Sequence, residues 1–247
     1  MLPVKQRIFI VMERIDPVSV RELNERLMQL PAEEILRYFI ENHKQKFAFS
    51  TSLSAEDQAI THIIAKIAPS VYCFTLDTGR MFPETYDLLD ITQKRYKVRI
   101  NVFFPLQETV EKMVNEKGIN LFYESIENRK LCCYNRKIEP LRRALSEVDF
   151  WISGLRKEQS VTREDLSVVE WDDVNKKIKI NPIINWKSED LWEYIHKNNI
   201  PYNPLHDLGY PSIGCQPCTR AVLPGEDIRA GRWWWENPEM KECGLHK

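Results

Sequence analysis

Short apolar runs and amphipathic stretches alternate along most of the chain. Five apolar runs have the length and the bounding turn residues of strands: KFAFS (46–50), VYCFTLD (71–77), VRINVFF (98–104), DFWISG (149–154) and KIKINPI (177–183). Other stretches have the apolar periodicity of helices. They are 20–42 with a break at Pro31, 55–68, 84–96, roughly 132–145 and 188–198. These repeated strand–helix units predict an α/β fold, with a mainly parallel sheet and helices on both faces.

The same pattern divides a single predicted domain, 1–247, into three parts. Residues 1–45 are expected to form N-terminal helices and 46–199 the core sheet with its helices, whereas 200–247 are rich in proline and glycine. This last part is predicted to be a loop-rich appendage that ends in a mobile tail. Ligands bind at the carboxyl ends of the strands in open α/β sheets, so the motifs at those ends are the most informative about function.

Composition narrows the possible functions only slightly. The 247 residues carry 35 basic and 36 acidic side chains, a formal net charge of −1, which gives no reason to expect nucleic acid or a membrane as a partner. No stretch approaches the roughly 20 apolar residues of a membrane helix. A cytoplasmic location is therefore predicted, in which thiols stay reduced and cysteines serve metal binding or catalysis.

The first strand is joined to its helix by a polar turn, in FAFSTSLSAEDQA. Ser50, Thr51 and Ser52 offer hydroxyl and backbone N–H groups at a helix N-terminus, an arrangement that suits a phosphate. Ordinary helix capping is the alternative interpretation, because Ser54 and Asp57 have the spacing of a capping box. The stretch lacks the GxxxxGK[ST] spacing of a Walker loop.

Two further strand ends carry polar turns. LDTGRMFPETY follows the second strand at Leu76, and WISGLRKEQSVTR follows the fourth with Gly154, Arg156 and Arg163. Three such strand ends predict a nucleotide site in which arginine clamps the phosphates. The adenine is expected to contact backbone groups near Leu76.

Four cysteines form two close pairs, Cys132 with Cys133 in LCCYNRK and Cys215 with Cys218 in GCQPC. Such pairs in a reducing compartment predict a metal site. Structural zinc is one candidate, but adjacent cysteines strain to reach one tetrahedral ion, whereas a cubane iron–sulfur cluster gives each cysteine its own iron. Lys137, four residues after Cys133 on a helix predicted to start at the pair, would place a cation beside the cluster or an anionic substrate.

These motifs together resemble one enzyme family. STSLSAEDQ, LDTGRMFPETY, GLRKEQSVTR, the CC…CxxC pairs and the tail KECGLH are similar to the motifs of the assimilatory adenylyl-sulfate (APS) reductases, the iron–sulfur branch of the PAPS reductase family. The resemblance covers about 46–247. It implies an adenine nucleotide α-hydrolase-like fold, and one [4Fe-4S] cluster per chain that shapes and polarises the substrate site without carrying electrons.

The resemblance also implies a reaction, the reduction of APS to sulfite and AMP with thioredoxin as electron donor. Cys243 would attack the sulfur of APS, AMP would leave, and thioredoxin would release sulfite from the resulting S-sulfocysteine. Arg229 and Arg232, expected on one helical face, match family arginines that hold the sulfate. Lys137 matches the lysine that bridges cluster and substrate, and His246 matches the tail histidine.

One position departs from the family pattern, since Ser54 stands where glycine is common. A serine narrows the backbone freedom there and leaves the nucleotide preference open. One alternative is therefore a PAPS reductase or an enzyme that accepts both nucleotides. The others are an ATP-using PP-loop enzyme and a non-catalytic, metal-bearing nucleotide sensor.

The sequence does not indicate an oligomeric state, because it has no heptad pattern and no long apolar edge. A homo-oligomer is therefore possible.

Overall fold

The computed structural model describes residues 17–43, 46–159 and 166–236. Its helices are α1 (Pro17–Leu27), α2 (Ala32–Asn42), α3 (Ala55–Ile67), α4 (Pro83–Tyr96), α5 (Gln107–Lys117), α6 (Ile126–Cys133), α7 (Glu139–Ala144) and α8 (Ser188–Lys197), with a π-helical turn at Tyr134–Ile138 between α6 and α7. Its strands are β1 (Phe47–Ser50), β2 (Tyr72–Leu76), β3 (Ile100–Phe103), β4 (Phe150–Ile152), β5 (Val169–Asp172) and β6 (Lys177–Ile180).

The strands of the described residues form one sheet in the order β3-β2-β1-β4-β6-β5. All neighbours pair in parallel except β5 and β6, which are antiparallel. The mainly parallel sheet predicted from the sequence is confirmed. The strand pattern predicted five of its strands and missed β5, VEWD, which lies at an edge and mixes polar with apolar residues.

The strand order reverses direction between β1 and β4. From β1 the chain moves outward through β2 to β3, and it then crosses to the other side of β1 to form β4. The loops that leave the carboxyl ends of β1 and β4 therefore run in opposite directions and open a crevice between them. This topological switch point is where the predicted nucleotide motifs meet.

Helices cover both faces of the sheet because successive strand residues point to opposite sides. Phe47 and Phe49 pack in one apolar cluster with Leu36 of α2 and Ile63 of α3. Ala48, between the two phenylalanines, packs in a second cluster with residues of α7 and the segment after it, namely Leu141, Ala144, Leu145 and Val148. Cys73 of β2 is buried in the first cluster, where burial raises the pKa of its thiol to about 12.

Three helical features differ from the sequence expectation. The helix α5 was missed because its exposed sequence buries only Met113 and shows little apolar periodicity. The helix predicted for 132–145 begins earlier, at Ile126, and contains the π-helical turn. As a result the cysteine pair ends α6 and does not start a helix. None of the helices in the described ranges combines the length and apolar character that crossing a bilayer requires.

Candidate nucleotide and cysteine site

A cavity of about 230 Å³ lies at the carboxyl ends of β1, β2 and β4. The predicted site residues that line it are Ser50, Thr51, Ser52, Leu76, Gly154, Lys137, Arg229, Arg232 and Cys215. Residues from the strand ends, from the π-helical turn and from the 211–233 segment thus meet at one cleft. Cys243, His246 and Arg163 lie outside the described residues.

The β1 loop is held in shape by its own polar groups. Trp151 Nε1 donates to Ser50 Oγ at 2.7 Å, and the Thr51 N–H donates to the Phe74 carbonyl at 2.8 Å. Ser52 donates to Oδ2 of Asp57 twice, from its backbone N–H at 2.6 Å and from its hydroxyl at 2.7 Å. The loop is therefore preorganised by the neighbouring strands and by the first turn of α3.

Ser54 departs from the family pattern without straining the backbone. Its φ of −68° is ordinary for any residue, and its hydroxyl accepts from the Asp57 N–H as the N-cap of α3. The left-handed position in this loop is Leu53, with φ of 61°. Ser54 both caps α3 and lines the cleft, so the two sequence interpretations do not exclude each other.

Asp57 is a site residue that the sequence analysis treated only as part of a cap. Burial raises the pKa of its carboxyl to about 6, and Glu56 adds to the rise, although the hydrogen bonds from Ser52 and Ser54 oppose it. Gly154, at the end of β4, lies directly against this carboxylate, and a Cβ atom there would overlap Asp57 Oδ1. Only glycine allows the β4 loop to approach α3 so closely.

Two arginines that the sequence placed at the strand ends are engaged elsewhere. Arg156 donates to Glu56 at 2.9 and 3.0 Å in a buried ion pair and also to Glu158, so it fastens the β4 loop to α3. Arg80 donates to the Ile119 carbonyl at 2.6 Å and lies over the Phe122 ring. Arg156 also lines the cleft, and the expectation that strand-end arginines clamp the phosphates stays a prediction.

Besides Arg156, the cations that line the cleft come from two other places. Lys137 lies in the π-helical turn, and Arg229 and Arg232 lie in the turns that follow 226. The expectation of one helical face for the two arginines was wrong, because Arg229 lies in a turn whereas Arg232 forms an isolated antiparallel β-bridge with Thr219. The Arg232 N–H donates to the Arg229 carbonyl at 2.9 Å. Gly214 makes room for the Arg232 guanidinium, which a Cβ atom would overlap.

The two cysteine pairs converge beside this cleft. Cys132 and Cys218 are buried in one apolar cluster with Phe122 and Trp233, and Cys215 packs against the same cluster. Trp233 N–H donates to the Cys218 carbonyl at 3.2 Å. Cys133 is half-buried and lies one turn after Arg129 in α6.

Cations and a hydroxyl surround the cysteines. Thr78 Oγ1 lies 3.2 Å from Cys215 Sγ, and the Thr78 carbonyl accepts from Arg136 Nη1 at 2.6 Å. Burial works against ionisation of Cys215, but Lys137, the Thr78 hydroxyl and two nearby arginines outweigh it and lower its pKa. Burial raises the pKa of Cys218 to about 12. Thr78 is a second residue that sequence reasoning missed, although LDTG placed it at a strand end.

Zinc and an iron–sulfur cluster require different arrangements of the cysteine thiols. Thiolates on one zinc ion lie about 3.8 Å apart, given Zn–S bonds of about 2.3 Å. In the described residues, no group of three or more His, Cys, Asp or Glu side chains is close enough to hold a single metal ion. Cys132, Cys215 and Cys218 share one apolar cluster, with Lys137, Arg136 and Arg232 around Cys215, and such a pocket suits an anionic cluster in which each thiolate binds a separate iron.

Comparisons with known proteins agree on one family. The model of the phosphoadenosine phosphosulfate reductase domain matches residues 46–221. The adenosine 5'-phosphosulfate reductase of Allochromatium vinosum is 50% identical over 199 residues, 81% of this chain and 78% of that protein. The enzyme of the same name from Burkholderia cepacia is 48% identical over 225 residues, 91% of this chain and 89% of that protein.

Solved structures give the same fold. The phosphoadenylyl-sulfate (PAPS) reductase of Candida auris, in a phosphate complex, superposes with a TM-score of 0.72 at 31% identity, covering 84% of this chain and 98% of that one. The FMN adenylyltransferase of Candida glabrata, with a TM-score of 0.55 at 14% identity, shares the fold alone. The predicted adenine nucleotide α-hydrolase-like fold is confirmed.

Proposed function

The chain belongs to the phosphoadenosine phosphosulfate reductase family, and from that premise we propose that it reduces adenosine 5'-phosphosulfate to sulfite and AMP in sulfate assimilation. It is an oxidoreductase acting on a sulfur group, as are the relatives that share about half of its residues. The observation that carries the proposal is that the β1 loop, Lys137, three arginines and Cys215 line the same cleft.

The nucleotide half of the substrate fits the switch-point side of this cleft. Backbone and hydroxyl groups at Ser50, Thr51 and Ser52 face the cavity from β1, and Gly154 faces it from β4. We assign the α-phosphate to this loop and the adenine to the strand end at Leu76. Arg163, which follows β4 in the sequence, is also assigned to the phosphates.

The sulfate half fits the cationic side. When the bond between the sulfur and the phosphate oxygen breaks, negative charge develops on the AMP that leaves. Lys137, Arg229 and Arg232 line the cavity, and ammonium and guanidinium groups in a partly buried site stabilise such charge strongly. These three residues also hold the sulfonate oxygens during attack.

Cys243 supplies the nucleophile in this proposal. Its thiolate attacks the sulfur of APS, the sulfur–oxygen bond breaks, and AMP leaves with the electron pair, so that an S-sulfocysteine remains. A thioredoxin thiolate then attacks Cys243 Sγ, so that sulfite departs and a mixed disulfide forms. The second thioredoxin thiol resolves this disulfide, which oxidises thioredoxin by two electrons and returns Cys243 as a thiol. His246 and Lys241, near Cys243 in the sequence, favour the thiolate form.

One [4Fe-4S] cluster is assigned to the four paired cysteines, Cys132, Cys133, Cys215 and Cys218. When bound, it polarises the adjoining sulfate site without passing electrons to the substrate. Arg136, Lys137 and Arg232 around Cys215 would offset the negative charge of such a cluster. Lys137 both lines the cleft and faces the cysteines, so it joins the two sites.

The setting of the reaction completes the proposal. We place the protein in the cytoplasm, where thioredoxin and free thiols are available, and treat 1–247 as one domain with a cluster loop and a catalytic tail. Reduction of PAPS is the second candidate, since the Candida auris relative bears that name at 31% identity. Relatives named for APS are more similar, at 48–50% identity, and APS is therefore the proposed substrate.

A steady-state comparison tests this function. The protein, kept anaerobic with its cluster intact, is given thioredoxin, thioredoxin reductase and NADPH, and then APS, PAPS or ATP in turn. The proposal predicts sulfite and AMP in equal amounts from APS, little product from PAPS and none from ATP. Preferential turnover of PAPS would move the assignment to the second candidate, and pyrophosphate release from ATP would contradict both.

A further inference from the structure

A row of four side chains crosses the sheet and includes Trp151, which lines the cleft. Its members, which are neighbours in register, are Ala48 in β1, Trp151 in β4, Lys179 in β6 and Glu170 in β5. Side chains that are neighbours in register lie on the same face of a sheet. The row therefore connects the edge strand β5 with the strand from which the β1 loop leaves.

At the β1 end of this row, Trp151 reaches the first hydroxyl of the β1 loop. Ser50 comes two residues after Ala48 and so lies on the same face of the sheet. The small side chain of Ala48, which packs in one apolar cluster with Trp151, leaves space for the indole beside it. Trp151 Nε1 donates to Ser50 Oγ at 2.7 Å. The indole N–H thus links β4 to Ser50.

A buried ion pair holds the other side of the indole. Lys179 Nζ lies 5.2 Å from the centre of the Trp151 ring and 3.3 Å from Glu170 Oε1. The Lys179 side chain is only 3% exposed. An ammonium group is attracted to the face of an indole, and the attraction is stronger where water is excluded. The ring is therefore held by charge at its face and by a hydrogen bond at its edge.

The hydrogen bond from Trp151 limits how the Ser50 hydroxyl can act. A hydroxyl group has one hydrogen to donate and two lone pairs that accept. In the described part of the chain, Ser50 Oγ takes part in one hydrogen bond, and it accepts there. Its hydrogen is thus available to an acceptor in the cleft, which Ser50 lines. Phosphate oxygens are acceptors of this kind.

Ser153, a second hydroxyl that lines the cleft, shows the opposite arrangement. It donates to Asn181 Oδ1 at 2.6 Å, and Asn181 Nδ2 in turn donates to Glu170 Oε1 at 3.2 Å. The hydrogen of Ser153 is thus used within the fold, and its lone pairs are what it can offer a ligand. The groups behind the two serines therefore give one a donor role and the other an acceptor role.

We propose that Trp151 is a positioning residue, whose indole N–H occupies a lone pair of Ser50 Oγ and thereby directs the Ser50 hydroxyl to donate to the phosphate of the bound nucleotide. This inference rests on the proposed function, in which the β1 loop holds the α-phosphate. Lys179 and Glu170 keep the ring in the orientation that this requires. A buried indole N–H needs an acceptor in any structure, so the test has to separate this role from packing.

The test compares the affinities of the cluster-loaded full chain for AMP and for adenosine, measured by calorimetry, because only AMP carries the phosphate. Trp151→Phe keeps an aromatic ring and removes the N–H, whereas Ser50→Ala removes the hydroxyl itself. Trp171→Phe is the matched control. Trp171 lies in the edge strand β5, where its Nε1 donates to Asp173 Oδ1 at 3.1 Å.

The expected losses follow from the strength of a hydrogen bond to an anion. Ser50→Ala removes such a bond and should weaken AMP binding roughly tenfold or more. Trp151→Phe leaves the hydroxyl without direction and should weaken it about fivefold. Adenosine affinity should stay within twofold in both variants, and the control should stay within twofold for both ligands. Ser50→Ala/Trp151→Phe should bind AMP no more weakly than Ser50→Ala, because Trp151 acts through the hydroxyl.

Three results would overturn the positioning role. They are an AMP affinity of Trp151→Phe within threefold of the unchanged protein, equal losses for AMP and adenosine, and additive losses in the double variant. If Trp151→Phe does not fold, Lys179→Met/Glu170→Gln decides: a loss of more than threefold confined to AMP supports the role, and a smaller loss overturns it. If the unchanged protein releases no sulfite from APS, the proposed function fails; if it does and Trp151→Phe binds AMP equally well, only the positioning role fails.

Discussion

Gly154, at the end of β4, lies so close to the buried carboxylate of Asp57 that a side chain of any size at position 154 would overlap it. Asp57 in turn holds Ser52 through two hydrogen bonds. The spacing between the β1 loop and the β4 loop, and hence the width of the switch-point cleft, is therefore set by one glycine and one carboxylate.

Gly154→Ala tests this relationship. The added Cβ has to displace Asp57 and the loop that it holds, which costs about 1–3 kcal/mol and should weaken AMP binding. Melting temperature and AMP affinity measure the two effects. Their origin is checked by a double-mutant cycle with Asp57→Ala, which removes the overlapping carboxylate. The destabilisation of the double variant should be smaller than the sum of the single changes, and additivity would contradict direct overlap.

The carboxyl of Asp57 also predicts a pH dependence. Burial raises its folded pKa from 3.8 to about 6, so between about pH 4 and pH 6 the folded chain binds a proton that the unfolded chain has lost. This contribution to stability is complete below pH 4 and lost as the pH rises through 6. Asp57→Asn, which does not titrate, should therefore gain stability relative to the unchanged chain across that window.

The gain should reach about 3 kcal/mol at pH 7, since each pKa unit corresponds to about 1.4 kcal/mol. Urea unfolding of both chains at a series of pH values between 4 and 7 measures it. A difference that stays constant over this range would mean that Asp57 has an ordinary pKa in the folded protein.

Local sequence pattern predicted the sheet well because the strands that form its centre are short, apolar and separated by amphipathic helices. The pattern failed to predict elements whose buried face is not a continuous stripe of apolar side chains. The edge strand β5 pairs antiparallel through a mixed sequence, and α6 buries Arg129 and Cys132 in place of aliphatic side chains. An arginine is expected at the surface from its residue type alone. The burial of Arg129 is explained only by its ion pair with Glu236, which the fold brings together.

Lys137 is predicted to act in catalysis because it lines the cleft and faces Cys215. Lys137→Met keeps most of the stem and removes the charge, and it should lower kcat/KM for APS by roughly 100-fold or more. Lys137→Arg should recover part of that loss. Lys130→Met, on the exposed side of α6, is the control and should leave kcat/KM unchanged. An equal effect of the two methionine variants would assign the loss to the helix as a whole.

Cys215 is predicted to hold part of the cluster. Cys215→Ser should remove most of the iron and the visible absorbance of the purified protein, because a thiolate ligand and its hydrogen bond from Thr78 are lost together. Cys73→Ala serves as the control, since Cys73 is buried in β2 among aliphatic and aromatic residues. Iron content and absorbance report the outcome without any turnover. Full iron in Cys215→Ser would contradict the ligand assignment.

The candidate site was partly readable from residue types. The spacing of the four paired cysteines predicts metal binding, and the polar turn after β1 predicts phosphate binding. Nothing in the sequence marks Thr78 or Asp57 as a site residue, because only the fold places Thr78 beside Cys215 and Asp57 beside Gly154. The strand-end arginine Arg156 has a partner that its residue type does not reveal. Arg156 has the residue type of a phosphate ligand, but its partner Glu56 is buried next to it, and that pairing arises only in three dimensions.

The proposed function depends above all on transfer of the sulfonate from APS to Cys243. Anaerobic protein is incubated with APS labelled in its sulfate and no thiol, and its peptides are separated under non-reducing conditions. We expect label on the peptide that contains Cys243, none in Cys243→Ser, and release of the label as sulfite by thioredoxin. Label on another cysteine, or no label while the cluster is intact, would contradict it.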